Sequence, residues 1–176
     1  MAKMVDPLSE RIHDEVLESL RRLVMGRVRI VAEICAHAMI SLTHALEHEL
    51  GKKEGFDAAR RAFMGPPVDE RPRPSALETS RSLQAYCAGL ESGCAGTQEW
   101  GRVEDRPDRI GYRFRRCIWA ELFRELGRPD IGHWFCDGDA DSARAFNPRI
   151  GFQRTRVLMD GDPYCDHLYY LEPEER

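Results

Sequence analysis

The chain has 176 residues, 42% hydrophobic and 32% charged, with 26 Lys+Arg against 30 Asp+Glu for a formal charge of −4. That balance excludes a disordered chain, and the length closes a hydrophobic core without staples. A pI near 5.9 argues against a nucleic-acid module, which carries a basic face. The longest apolar run, Ile30 to Leu46, is broken by Glu33, His37 and His44, and no basic–apolar–small signal opens the chain. The expectation is therefore one soluble cytoplasmic domain, with no membrane or nucleic-acid partner.

From Ser9 to Leu50 the apolar positions Ile12, Val16, Leu20, Leu23, Val28, Val31, Cys35, Ala38, Leu42 and Ala45 recur at helical spacing. This predicts one long helix, or two meeting near Gly26, ending at Gly51. Its apolar face serves either the core or a second copy of the chain. A short helix follows over Phe56 to Met64, stopped by Gly65-Pro66-Pro67, and a Pro-rich connector runs to Pro74. Ser75 with Glu78 fits a capping box, opening a helix whose inner face is Leu77, Leu83, Tyr86, Cys87 and Leu90.

After Gly96 the period changes from helical to alternating. Strands are predicted at 98–104 and 110–116, then a helix carrying Ile118, Leu122, Phe123 and Leu126. A helical stretch broken near Gly138 covers Ile131 to Phe146. Strands at 152–158 and 164–171 are joined at Asp160-Gly161-Asp162-Pro163, read as a hairpin turn. Helices segregated from paired strands indicate an α+β fold with one antiparallel sheet of about four strands built from two hairpins. The domain divides into a helical part, 1–96, and an α+β part, 97–176, that carries the site.

Six cysteines, with no C-x-x-C pair, read as free thiols, metal ligands or a nucleophile rather than as disulfides. Cys35, Cys87 and Cys94 fall on or near inner helix faces and read as structural. Cys117 falls where a strand hands over to a helix, after Arg115 and Arg116. Helix N–H groups and guanidinium groups both favour a thiolate, so Cys117 is the candidate nucleophile. Its ordinary alternative is a small buried apolar residue. Cys136-Asp137-Gly138-Asp139, with His133 one turn earlier, gathers a thiol, two carboxylates and an imidazole that suit a base or a divalent-metal site. The ordinary alternative here is a helix break. Cys165 shares a strand face with His167 and Tyr169. His44-Ala-Leu-Glu47-His48 matches the H-x-x-E-H zinc pattern, but without an accompanying motif it reads as a polar seam. No Walker loop, G-x-G-x-x-G or G-x-S-x-G is present.

Read together, several pieces between Tyr112 and Tyr170 resemble the L-2-amino-thiazoline-4-carboxylic acid hydrolase family. They are Arg116-Cys117, Glu121 to Gly127, Cys136-Asp137-Gly138-Asp139, Phe146-Asn147-Pro148, Phe152-Gln153-Arg154-Thr155, and Gly161-Asp162-Pro163-Tyr164-Cys165-Asp166. The G-D-x-x-C ending also resembles small-molecule-binding domains of the 4-vinyl reductase type, which combine helices with an antiparallel sheet. The first resemblance implies hydrolysis of a non-peptide C–N or C–S bond at an amidine-like or urea-like carbon of a small cyclic substrate. It implies that Cys117, Cys136, Cys165 and Asp139 occupy the family's cysteine and acidic positions, with no cofactor. Cys117 is then the nucleophile, Asp139 and Asp137 the proton-handling carboxylates, and Cys165 a neighbour. Arg116, Cys136, Asn147, Arg154 and His133 are candidates for holding substrate. Two alternatives stand beside this reading: a non-enzymatic binding or sensor domain, and a divalent metal held by Cys136, Asp139, Cys165 and a histidine.

Overall fold

A computed structural model describes residues 7–65 and 81–173. Helix α1, Pro7–Leu50, is one unbroken rod of 44 residues, about 66 Å long at 1.5 Å per residue. Pro7 opens it, where a missing N–H costs nothing. Gly26 lies within it and does not divide it. The chain reverses at Gly51, whose φ of 89° is the left-handed conformation glycine tolerates, into α2, Lys52–Met64. Gly55 lets α2 approach, because a Cβ there would run into the backbone of Leu46 and Glu47 in α1.

Helix α3 spans Leu83–Cys94 and is capped by Ser82, whose Oγ accepts from the Ala85 N–H at 3.1 Å. The expected start at Ser75, with its Ser75/Glu78 box, lies outside the described residues, and the helix carrying Cys87 begins at Leu83. Of the expected inner face, Leu83 and Cys87 are buried, with Tyr86 and Leu90 packed beside them, and Leu77 lies outside the described residues. Strands β1 (Gln98–Arg106) and β2 (Arg109–Cys117) form a hairpin. Three helices follow, α4 (Ile118–Glu125), α5 (Pro129–Asp137) and α6 (Asp139–Phe146), the last two separated by Gly138 as expected. Then come β3 (Ile150–Gln153), a 3-10 turn (Leu158–Asp160) and β4 (Cys165–Leu171).

The four strands make one antiparallel sheet in the order β1-β2-β4-β3. The α+β architecture with helices beside an antiparallel sheet is therefore what the molecule has. Strand β3 is shorter than the alternation suggested, and the physical reason is Asp166. Its carboxylate takes the N–H groups of Thr155 (2.8 Å) and Arg156 (2.6 Å), donors that a longer strand would give to the ladder. The Asp160–Pro163 segment is not a tight hairpin turn. Gly161, at φ 96°, ends the 3-10 turn inside a longer connection, and Asp162 fixes that connection by accepting from the Val157 N–H at 2.8 Å.

Two apolar clusters result. One joins α3 and α6 to the inner face of the sheet, through Ile110, Tyr112, Phe114, Ile150 and Tyr169. The other joins α1, α2, α4 and α5 around Met39, Phe123, Ile131 and Trp134. Val157 and Leu158 touch both. On length and mean hydropathy (1.2), Gly26–Leu50 would suit a membrane span, which corrects the expectation that no segment would.

Candidate functional site

The three cysteines of the C-terminal pattern meet at the seam between these clusters. Cys165 is buried with the sheet-side cluster, while Cys117 and Cys136 pack against the helix-side one. The thiols of Cys136 and Cys165 each sense the charge of Cys117, Asp139 and Arg154, so these groups share one electrostatic environment.

At its centre is an ion pair. Arg154 Nη1 donates to Asp139 Oδ2 at 2.7 Å and to the Cys136 carbonyl at 3.3 Å. Both side chains are mostly covered. Burial pushes the Asp139 carboxyl up to about 6, against the pull of Arg154, with Asp137 adding to the rise. Arg154 is held in place because Asp166, on the outward side of β4, grips the two residues after it.

Cys117 is the residue preceding α4, in extended conformation (φ −143°, ψ 118°). The Gln98 amide donates to its sulfur at 3.7 Å. Burial raises the Cys117 thiol; the N–H groups of Ala120 and Trp119 and the Gln98 amide work against that rise. Burial also raises Cys136 and Cys165, to about 12 and about 11. Cys165 receives one backbone N–H, from Leu158 at 3.1 Å. All three are thiols rather than thiolates at neutral pH, with Cys117 receiving the most donors.

Two neighbours escaped the sequence reading. His167 is 9% exposed; its Nε2 stands 3.9 Å from Asp139 Oδ2, and its Nδ1 is 3.5 Å from the Tyr169 hydroxyl. Phe114 and Phe152 flank the ring at 4.6 and 5.2 Å between centroids. Burial and the adjacent Arg154 lower His167 to about 3, so it is a neutral imidazole. The Cys165/His167/Tyr169 alternation carried the signal for it. Gln98 faces Cys117 across β1 and β2, and its buried Oε1 has no hydrogen-bond partner among the described residues. A buried acceptor left open is a place where a ligand or water donor belongs.

The other candidates lie elsewhere. Asp137 is exposed and pairs with Arg60 of α2 at 3.5 Å. Arg116 is held bidentately by Glu121, at 2.6 and 3.1 Å, with Glu99 at 3.2 Å. Asn147 closes a turn, accepting from the Arg149 N–H and donating to the Arg81 carbonyl. His133 pairs with Asp160 at 2.7 Å. Cys35, expected on an inner face, is exposed, whereas Cys87 and Cys94 are buried as expected. The H-x-x-E-H histidines His44 and His48 are exposed, and Glu47 binds Arg128 at 3.0 Å.

Among the described residues no group of three His, Cys, Asp or Glu side chains is arranged to hold a metal ion. The donor set of Cys136, Asp139, Cys165 and a histidine therefore does not form a metal centre here, because Asp139 is turned to Arg154. A groove of about 190 Å³ on β1 and β2 is lined by Val103, Arg113 and Arg115 among others, and no cysteine lines it.

A search of curated proteins returns no match to the chain. A family model does match it, and the match extends well beyond the Tyr112–Tyr170 stretch, taking in the second half of α1 and all of α2 and α3. Spanning residues 31–169, and with them every group at the seam, that match places the chain in the L-2-amino-thiazoline-4-carboxylic acid hydrolase family.

Proposed function

We propose that the protein is a cysteine-dependent hydrolase that opens a small cyclic amidine or amide of the 2-aminothiazoline-4-carboxylate kind. The observation that carries this is the gathering of Cys117, Cys136 and Cys165 around the buried Asp139–Arg154 pair. Such a substrate carries an amidinium and a carboxylate. It can exchange partners with the pair, its amidinium taking Asp139 and its carboxylate taking the Arg154 fork. Binding would then replace one buried ion pair by two, leaving neither protein charge alone.

The chemistry follows from the cysteine. The Cys117 thiol adds to the amidine carbon, and Gln98 with the first N–H groups of α4 supports the developing negative charge. The ring C–S bond breaks, its electron pair goes to the departing sulfur, and that sulfur takes up the proton lost by Cys117. Water then adds to the same carbon and displaces Cys117, which leaves a urea and restores the thiol. Asp139, with its carboxyl near neutrality, is suited to relay the water proton.

A second reading has its own observation. All three thiols are held protonated by burial, which suits a cytoplasmic binding or sensor domain as well as a resting enzyme. Turnover of 2-aminothiazoline-4-carboxylate, followed as thiol release, decides between them. We expect Cys117→Ser to lose at least about 10³-fold in kcat with its fold intact, a loss typical of a missing nucleophile. Asp139→Asn should lower kcat without abolishing binding. Binding of that substrate with no turnover by the unaltered protein, or near-normal kcat in Cys117→Ser, overturns the proposal.

A further inference from the structure

Nine large apolar side chains stand exposed among the described residues, and seven of them lie on α1 between Val16 and Leu50. At 100° per residue, Leu23, Ile30, Ile34, Ala38 and Ala45 fall within a sector of about 80°. The sector lies opposite Ala32, Ala36, Met39 and Thr43, which face the body of the protein. Ile30, Val31 and Ile34 are the most exposed, at 60, 62 and 65%. Leu50 turns to the opposite side, and the other six side chains present on the order of 600 Å² of hydrocarbon, at the upper end of a monomer's usual patch and approaching the ~800 Å² per partner of a standard interface.

The order of side-chain sizes along this face indicates what covers it. Laid antiparallel on a copy of itself about a two-fold axis at Ile34, the helix sets Ile30 against Ala38 and Leu23 against Ala45. Leu23 and Ile30 each meet an alanine, as close packing favours, and Ile34 meets its own copy at the axis. A parallel pairing would put Ile30 on Ile30 and Ala38 on Ala38, alternating crowding with voids. Arg27, the one charge within the sector, falls opposite Ser41. A bilayer is a poorer fit despite the hydropathy of this segment, because its other face is packed against α2 and α4. Lipid could surround the helix only if that packing were lost.

We propose that α1 is the interface of a homodimer, two copies lying antiparallel about a two-fold axis at Ile34. The interface is independent of the catalytic reading. Since Ala32 packs with Ile118 and Leu122 of α4, it also braces from behind the helix that Cys117 precedes.

Sedimentation velocity of the full chain at micromolar concentrations should show a dimer, and Ile34→Glu a monomer with unchanged circular dichroism. The dissociation constant should rise at least about 100-fold, since two like charges would meet at the axis. In a Cys35→Ser background, Ile34→Cys should oxidise to a linked dimer. Leu23→Cys alone should not, while Leu23→Cys mixed with Ala45→Cys should. A monomeric wild-type chain overturns the proposal, as does a dimer indifferent to Ile34→Glu or one that self-links through Leu23→Cys. Monomeric protein that co-sediments with phosphatidylcholine–phosphatidylglycerol vesicles overturns it in favour of a lipid surface.

Discussion

Along α1, Ile30, Val31 and Ile34 stand about 60% in water; along β4, His167 is 9% exposed and shares its surroundings with the Asp139–Arg154 pair. One region leaves hydrocarbon outside, and the other takes charge and imidazole inside. Helix α4, between them, obeys the ordinary division, with Ile118, Leu122 and Phe123 buried and Arg124 and Glu125 exposed. The two departures from that division have opposite signs and different meanings. Exposed apolar surface asks for a cover, whereas buried, fully partnered charge marks a place built to receive something of matching charge.

The sharpest way to break this comparison is to remove one buried charge. Arg154→Met should cost about 3 kcal/mol in urea unfolding, because Asp139 would be left covered and unpaired. Val31→Ser, on the exposed face of α1, should cost well under about 1 kcal/mol at concentrations where the chain is monomeric. Equal losses at the two sites would erase the distinction.

Acidification sharpens it further. His167 is depressed from 6.5 to about 3, so the folded state refuses a proton that the unfolded chain takes. That contribution is present above pH 6.5 and is lost as the pH falls toward 3. Asp139 is raised from 3.8 to about 6, so its contribution is present below 3.8 and lost as the pH rises through 6. Between pH 4 and 6 the two slopes oppose, and the histidine has the larger shift. The protein should therefore lose stability on going from pH 7 to 5. In His167→Phe, whose ring would sit among Phe114, Phe152 and Tyr169, the slope should reverse. Thermal melting across this range checks the sign, and an unchanged acid slope in the variant would refute the assignment.

A small effect belongs to Arg116. Its partner Glu99 is exposed and Glu121 half-buried, so Arg116→Ala should cost about 1 kcal/mol and leave kcat unaltered. A large kcat loss would bring Arg116 back into the site.

The periodicities that placed α1, α4 and the β1–β2 pair are local, and so is the alternation that puts Cys165, His167 and Tyr169 on one face. These were legible. Which charged residue turns inward was not. Arg116 and Arg154 are the same residue type beside the same kind of motif, yet Glu121 and Glu99 hold one at the surface while Asp139 holds the other at the seam. Asp137 and Asp139 flank Gly138, and only the direction of the chain at that break sends the first toward Arg60 and the second toward Arg154. The end of β3 was equally hidden. It depends on Asp166, ten or more residues further on, claiming the N–H groups of Thr155 and Arg156.

The strand order β1-β2-β4-β3 has a consequence for biosynthesis. Strand β4, made after the other three, is an inner one, and β3 pairs with no strand but β4. Until β4 leaves the ribosome, β2 and β3 are separated by an open slot, and a chain stopped near residue 160 would show two unpaired strand edges to its neighbours. Cys165 and His167 enter with that final strand, and so does Asp166, which fixes the chain around Arg154. The seam therefore cannot close before β4 has been made.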